Sequence, residues 1–314
     1  MHFAFTPDQI ELRDGVSAAL AELCPPAALR AFWKGGADDL WPGLAELGVL
    51  AMSAPDPIGL DLGAVEQVLL LEACGRAAVP GPLVETVALL PALAEHDPTL
   101  AEAVASGLAR VALQDGDAYV DAAEHAAVFR VSGGVLSRVT QPELVAQAAL
   151  DGARRLSSIG GPAEPLGDGT AVRRRAVLGT AATLLGLADT VVDSAVAYSK
   201  ERNQFGKAIG SFQAVQHHLV DAALKLRFAR PLVHQAAFGL DEGHPDVDLH
   251  VAMAKIYASE AATFACRKSL QVHGAIGYTE ELDLHLWMKR IWALAVAWGD
   301  AAHHRDTVAA KLGA

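Results

Sequence analysis

Between two long alanine-rich runs the chain reads Arg202-Asn203-Gln204-Phe205-Gly206-Lys207-Ala208-Ile209-Gly210-Ser211-Phe212-Gln213. An arginine, an aromatic ring and glutamines at one break between apolar segments are residue types that grip a large polar ligand. A guanidinium pairs with phosphate, a ring packs on a flat surface, and amides both donate and accept hydrogen bonds. A second break, Gln271-Val272-His273-Gly274-Ala275-Ile276-Gly277-Tyr278, adds a glutamine and small residues that let a ligand approach the backbone. The candidate binding set is Arg202, Gln204, Phe205, Gln213, Gln271, Gly274 and Ala275. Taken singly, each has a structural explanation: a solvated arginine, a capping glutamine, a turn glycine.

Other chemistry is sparse. The pairs His217-His218 and His303-His304 are adjacent, and adjacent helical residues do not share a face, so no metal site is expected. Cys24, Cys74 and Cys266 are far apart with no CxxC, which argues against a disulfide framework or zinc. Arg173-Arg174-Arg175 is the longest basic run and reads as a solvated helix start, with a phosphate as the alternative partner. A formal net charge of −12 argues against a nucleic-acid partner.

The elements that must position these residues are mostly helical. At 314 residues, 52% hydrophobic and 20% charged, the chain can build a large core over more than one domain. Thr6-Pro7-Asp8 starts a helix carried by Ile10, Leu12, Val16, Leu20 and Leu23, and Pro25-Pro26 stops it. Helices are expected over 41–47, 64–77, 83–95 and 100–106, with Pro80, Pro82 and Pro91 as breakers, giving an N-terminal α-helical domain over 1–107. Strand signals at 109–114, 118–120, 127–131 and 134–139 mark a short β region over 108–168. From 169 to 314 four long helical segments (170–200, 212–240, 245–271 and 281–312) with short connections predict a four-helix bundle.

Arg202-x-x-Phe205-Gly206 followed by Phe212-Gln213, then Gln271-x-x-Gly274-Ala275-x-Gly277-Tyr278, resembles the C-terminal domain of the acyl-CoA dehydrogenase family. The stretches MHFAFTPDQIELRDGV, LWPGLAELGVLA and LLLEACGRAAVPGPLVET resemble that family's N-terminal helical domain, so the likeness covers 1–107 and 170–314. It implies a mainly α fold and FAD as cofactor. Arg202 would meet the pyrophosphate, Phe205 would pack on the cofactor, and Gln213 and Gln271 would bond its polar middle. Gly274 and Ala275 would let a phosphate or ribose come close, Ala275 standing where the family has a second glycine. These contacts reach the FAD of a neighbouring chain.

The family's carboxylate base, which takes the α-proton of an acyl-CoA, has no counterpart. Its usual position aligns with Trp298 and its alternative with Ala176, so no catalytic residue is assigned. The middle region also lacks a T-E-x-x-x-G-S-D-like stretch over the flavin. Both losses match the short subunit of a heterotetrameric (α2β2) enzyme of the kind found in steroid-degrading actinobacteria. There a longer homologue supplies the base, the substrate is a steroid-derived acyl-CoA, and electron-transfer flavoprotein or a similar acceptor takes the electrons. The alternatives are a homo-oligomeric enzyme with a displaced base, for which Asp300 is the candidate, and a non-catalytic scaffold. Asp300 lies two positions past Trp298, about 200° away on a continuous helix. His273 would touch the cofactor or simply pack. With no basic-then-apolar leader and no long uninterrupted apolar stretch, a cytoplasmic location without a membrane span is expected.

Overall fold

The computed structural model describes residues 4–36 and 40–313; the first three residues of the N-terminal stretch read above lie outside them. The helices among the described residues are α1 (Pro7–Leu23), α2 (Pro26–Trp33), α3 (Leu40–Glu46), α4 (Ala64–Arg76), α5 (Leu83–His96), α6 (Pro98–Ala105), α7 (Thr170–Glu201), α8 (Gln213–Asp241), α9 (Val247–His273), α10 (Leu284–Val296) and α11 (Ala301–Leu312). The strands are β1 (Val111–Asp115), β2 (Val120–Asp121), β3 (Ala127–Ser132), β4 (Val135–Val139), β5 (Glu143–Ala146), β6 (Leu156–Gly160), β7 (Ala163–Asp168), β8 (Asn203–Gln204) and β9 (Lys207–Ala208). The chain divides into two compact units, Met1–Leu70 with Val79–Gly179 and Leu71–Ala78 with Thr180–Ala314.

In the first unit α1 opens on a capping box. Thr6 Oγ1 accepts from Gln9 N at 3.2 Å and the Gln9 side chain accepts from Thr6 N at 2.9 Å, an arrangement worth about 1 kcal/mol. Pro25-Pro26 does more than stop α1: Pro26 is the first residue of α2, where its missing N–H costs nothing. Pro91 was expected to break the chain, yet it lies inside α5, whose Leu89, Leu90 and Leu93 are fully buried around it. Packing outweighs the lost hydrogen bond.

The β region forms two sheets, ordered β1-β3-β4-β7 and β2-β6-β5, with β1/β3 parallel and the other pairs antiparallel. Ala112, Val120, Ala123, Val128, Val139 and Ile159 form its core. Strands β5 to β7 escape a reading by alternation because β5 is exposed throughout, β7 nearly so, and β6 is Leu-Ser-Ser-Ile-Gly.

In the second unit the end of α4 crosses α7 at two glycines. A Cβ on Gly75 would lie 2.2 Å from Thr183 O, and one on Gly186 would lie 1.9 Å from Glu72 O. Arg230 pairs with Glu72 (2.9 Å) and Asp189 (2.6 Å), while Arg76 bonds Asp189 (3.2 Å) and Asp193 (2.7 Å). The Arg76 carbonyl accepts from Thr190 Oγ1 and Trp287 Nε1, both at 2.9 Å. By length and composition α7 alone among the described helices could cross a membrane, and 83% of its most apolar window is buried.

The expected fourth bundle helix over 281–312 is two helices, α10 and α11, parted at 297–300. Trp298 and Gly299 there take φ +58° and +89°, which no helix can contain.

Candidate functional site

Helix α7 ends at Glu201, and the chain turns straight into the β8–β9 hairpin, paired Asn203 to Ala208 and Gln204 to Lys207. Its two-residue tip is Phe205-Gly206, at φ +53° and +80°, as a type I′ turn requires. Glycine is at ease there and phenylalanine is not. Phe205 is also 92% exposed, so a strained backbone presents an aromatic ring to its surroundings. Arg202 is exposed and forms no salt bridge among the described residues. Gly210 lets this loop lie on α7, since a Cβ would come within 2.9 Å of Ser199 O. The ring of Phe212 holds the hairpin base, edge-on to Phe205 (centroids 6.2 Å) and beneath Lys207 Nζ (4.3 Å). The amide of Gln204 is spent locally, on Asn203 O at 2.8 Å.

Two contacts bring the second motif to the first. His273, at the end of α9, stacks on Tyr198 one turn before Arg202 (centroids 4.6 Å, 25° between planes). Helices α8 and α9 run antiparallel, with Lys268 Nζ 3.0 Å from His218 Nδ1 and Lys225 Nζ 5.0 Å from the Phe264 ring. That register sets Gln213, the first residue of α8, level with His273. Arg202, Phe205, Gln213, Gln271, Gly274 and Ala275 thus share one end of the bundle, and all but Gly274, which is half-buried, are exposed.

The role of Gly274 differs from an anion cradle. It ends α9 at φ +65°, ψ −143°, a conformation reserved for glycine, and its N–H donates to Leu270 O. A helix C-terminus carries partial negative charge, so this end suits a ribose hydroxyl better than a phosphate. His273 is buried, with Nδ1 donating to Ser269 O at 2.8 Å, and burial lowers its pKa. It packs and positions. A cavity of about 350 Å³ beside it is lined by Tyr198, Glu201, His273, Asp283, Leu284 and Trp287, among others. Its two carboxylates, Glu201 and Asp283, disfavour a phosphate there.

The base positions carry no proton acceptor. Ala176 is fully buried, and Trp298 is buried with its carbonyl accepting from His304 Nε2 at 2.9 Å. Asp300 is not two helical positions from Trp298, so the expected rotation of about 200° does not apply: neither residue is helical. Asp300 instead caps α11, accepting from His303 N at 2.8 Å, and that bond holds its carboxyl below the usual range. Lys255, which nothing in the sequence reading singled out, anchors this loop. Fully buried, its Nζ has four acceptors for its three N–H groups, Leu294 O (3.2 Å), Ala295 O (3.0 Å), Gly299 O (3.1 Å) and Ser259 Oγ (3.1 Å). A lysine inside the apolar run Val251 to Ala258 was the signal available. Arg173 is engaged with Asp115 at 3.2 Å rather than offered to a phosphate. Among the described residues no group of three or more His, Cys, Asp or Glu could hold a metal.

A helical domain, a small β region and a bundle whose helix ends present an arginine–phenylalanine hairpin are the parts of a flavin-dependent acyl-CoA dehydrogenase. The sequence profile described as Acyl-CoA dehydrogenase, N-terminal domain, matches residues 6–96, and that of the C-terminal domain matches 173–313. The chain is 32% identical over 289 residues to acyl-CoA dehydrogenase IpdE2 of Mycobacterium tuberculosis, covering 89% of each. The IpdE2 of Mycolicibacterium smegmatis is also 32% identical, over 290 residues, covering 89% of this chain and 90% of that one. Two solved structures share the fold. One is the Tcur3481–Tcur3483 steroid ACAD G363A variant (TM-score 0.86, 24% identity, 98% of each chain), and the other the ChsE4–ChsE5 complex of Mycobacterium tuberculosis (TM-score 0.86, 23% identity, 100% and 99%). The chain belongs to the acyl-CoA dehydrogenase family, whose members are FAD-dependent oxidoreductases.

Proposed function

We propose that this chain is the short subunit of a heteromeric acyl-CoA dehydrogenase, holding the pyrophosphate and adenosine of an FAD whose flavin ring lies in a longer partner chain. The observation that carries this reading is a split in the chain's own equipment. Its dinucleotide-binding candidates stand exposed at one end of the bundle, whereas Ala176, Trp298 and the capping Asp300 leave no free base.

FAD fits these residues. Arg202 has no carboxylate competing for it among the described residues, and Phe205 is held outward at a strained turn. When bound, FAD supplies the acceptor for the β-hydride of the acyl thioester. This chain's contribution is positioning. Arg202 neutralises the pyrophosphate, Phe205 packs on the dinucleotide, Gln213 and Gln271 bond its polar middle, and the Gly274-Ala275 backbone receives the ribose. The partner's carboxylate takes the α-proton.

A stripe on α8 supports a second chain here. Val220, Leu224, Phe228, Pro231 and Phe238 recur every three to seven residues on the face that begins at Gln213, and all are exposed, Phe228 at 66%. A chain that brings its FAD to Gln213 would lie across this stripe. We assign a steroid-derived acyl-CoA as substrate, guided by the steroid ACAD among the structures of like fold, with electron-transfer flavoprotein or a similar acceptor as oxidant and the cytoplasm as location.

The test is flavin absorbance near 450 nm per chain, for this protein alone and co-purified with a longer homologue encoded beside it. One FAD per pair of chains, present only in the complex, is expected. Arg202→Ala should weaken FAD retention by roughly tenfold to a hundredfold, the worth of a charge-assisted hydrogen bond. Full flavin occupancy of this chain alone would overturn the split-site reading.

A further inference from the structure

A second cationic feature lies beside the dinucleotide candidates. Lys268, on α9 one turn before Gln271, stands 3.0 Å through Nζ from His218 Nδ1 on α8. A lysine ammonium has only donors, so Nδ1 of the neutral imidazole accepts and its proton sits on Nε2. The pair therefore offers outward only N–H groups: the remaining ammonium hydrogens and His218 Nε2–H. Lys268 and Lys225 both lie against the ring of Phe264, at 5.1 and 5.0 Å from its centroid. With Arg202 and Lys207 of the hairpin, which stands at the same end of the bundle, these make four basic side chains, none in a salt bridge among the described residues, on a chain of net charge −12. Asp221, one turn before Lys225 on α8, and Glu201, next to Arg202, are the nearby carboxylates in sequence. Carboxylates are therefore at hand on this surface, yet none of them pairs with these cations among the described residues.

We infer that the Lys268–His218 pair is a second phosphate-recognising contact of the dinucleotide site, set one turn along the α8–α9 groove from Gln271 and acting with Arg202 on the pyrophosphate. The inference rests on the FAD reading above and names residues that neither the family motifs nor the resemblance assigns. Its chemistry is plain: phosphate oxygens accept and cannot donate, and the pair donates and has no acceptor left.

The experiment uses the co-purified complex and follows FAD release by the rise in flavin fluorescence, from low to high sodium chloride. The variants are Lys268→Gln, His218→Phe, Lys268→Arg and, for comparison, Arg202→Ala. Lys268 is half-buried on a helix surface, so Gln is expected to leave the fold intact. Lys268→Gln should weaken FAD retention about tenfold at low salt and flatten its salt dependence, because one ion contact fewer is there to be screened. His218→Phe should weaken it less, and Lys268→Arg should restore most of it. A loss with Arg202→Ala and none with Lys268→Gln overturns this inference and leaves the FAD reading standing. A loss with Lys268→Gln whose salt dependence matches the unaltered complex also overturns it, since that is the mark of a packing role. No loss with either variant overturns both.

Discussion

Lys255→Met tests how the loop at the lost base position is held. Lys255 is fully buried in α9, its Nζ between 3.0 and 3.2 Å from Leu294 O, Ala295 O and Gly299 O, one carbonyl for each of its three N–H groups, with Ser259 Oγ also in reach. Leu294 and Ala295 lie in the last turn of α10, whose carbonyls have no partner within the helix. Methionine keeps an unbranched chain and removes the donor. Each buried carbonyl left unbonded costs about 1–3 kcal/mol, so three of them set a cost of about 3 kcal/mol or more. Burying the ammonium works the other way. Burial pushes its pKa from 10.5 down to about 7, with Asp300 pulling weakly upward. The folded pKa lies below the unfolded one, so between these values the unfolded chain binds more protons. The lysine's contribution is therefore smallest below about pH 7 and grows as pH rises through the window, by up to about 1.4 kcal/mol per pH unit. The substitution should cost about 3 kcal/mol at pH 7 and roughly 1.5 kcal/mol more at pH 8.5. Urea unfolding of both proteins at the two pH values, followed by far-UV circular dichroism, measures it. A cost below about 1 kcal/mol at pH 7, or one that does not change with pH, refutes the reasoning.

Asp300→Asn should leave stability within a few tenths of a kcal/mol and Asp300→Ala should lower it by about 1 kcal/mol, the pattern of an N-cap. Substrate-driven flavin bleaching in the complex should be the same for both; a hundredfold slower rate in Asp300→Asn would make it the base after all. Phe228→Asp places a carboxylate in the α8 stripe and should weaken association with the longer chain more than tenfold while circular dichroism of the isolated chain stays unchanged. An unaltered dissociation constant would show that the stripe is not where the partner sits.

Much of this protein was legible from sequence because its signals are local. Capping at Thr6-Pro7, helical periodicity and the order of the Arg202–Gln213 and Gln271–Tyr278 motifs need only residues a few positions apart, and they determined the family and the absence of a carboxylate at Trp298 and Ala176. Where sequence reading failed, a longer-range term had outweighed the local one. Pro91 stays helical because α5 is buried on several sides, and β5, β6 and β7 exist because they pair with β6, β2 and β4, not because their own residues alternate. The break between α10 and α11 depends on Lys255 and His304, brought from α9 and α11 to hold carbonyls that a continuous helix would have bonded itself. Only the tertiary structure decided that Phe205 stands exposed at a hairpin tip, that Gly274 ends a helix at its negative pole, and that Lys268 meets His218. Residue type states what a group can bond, but which groups meet follows from the register of two packed helices, a relation between positions fifty residues apart.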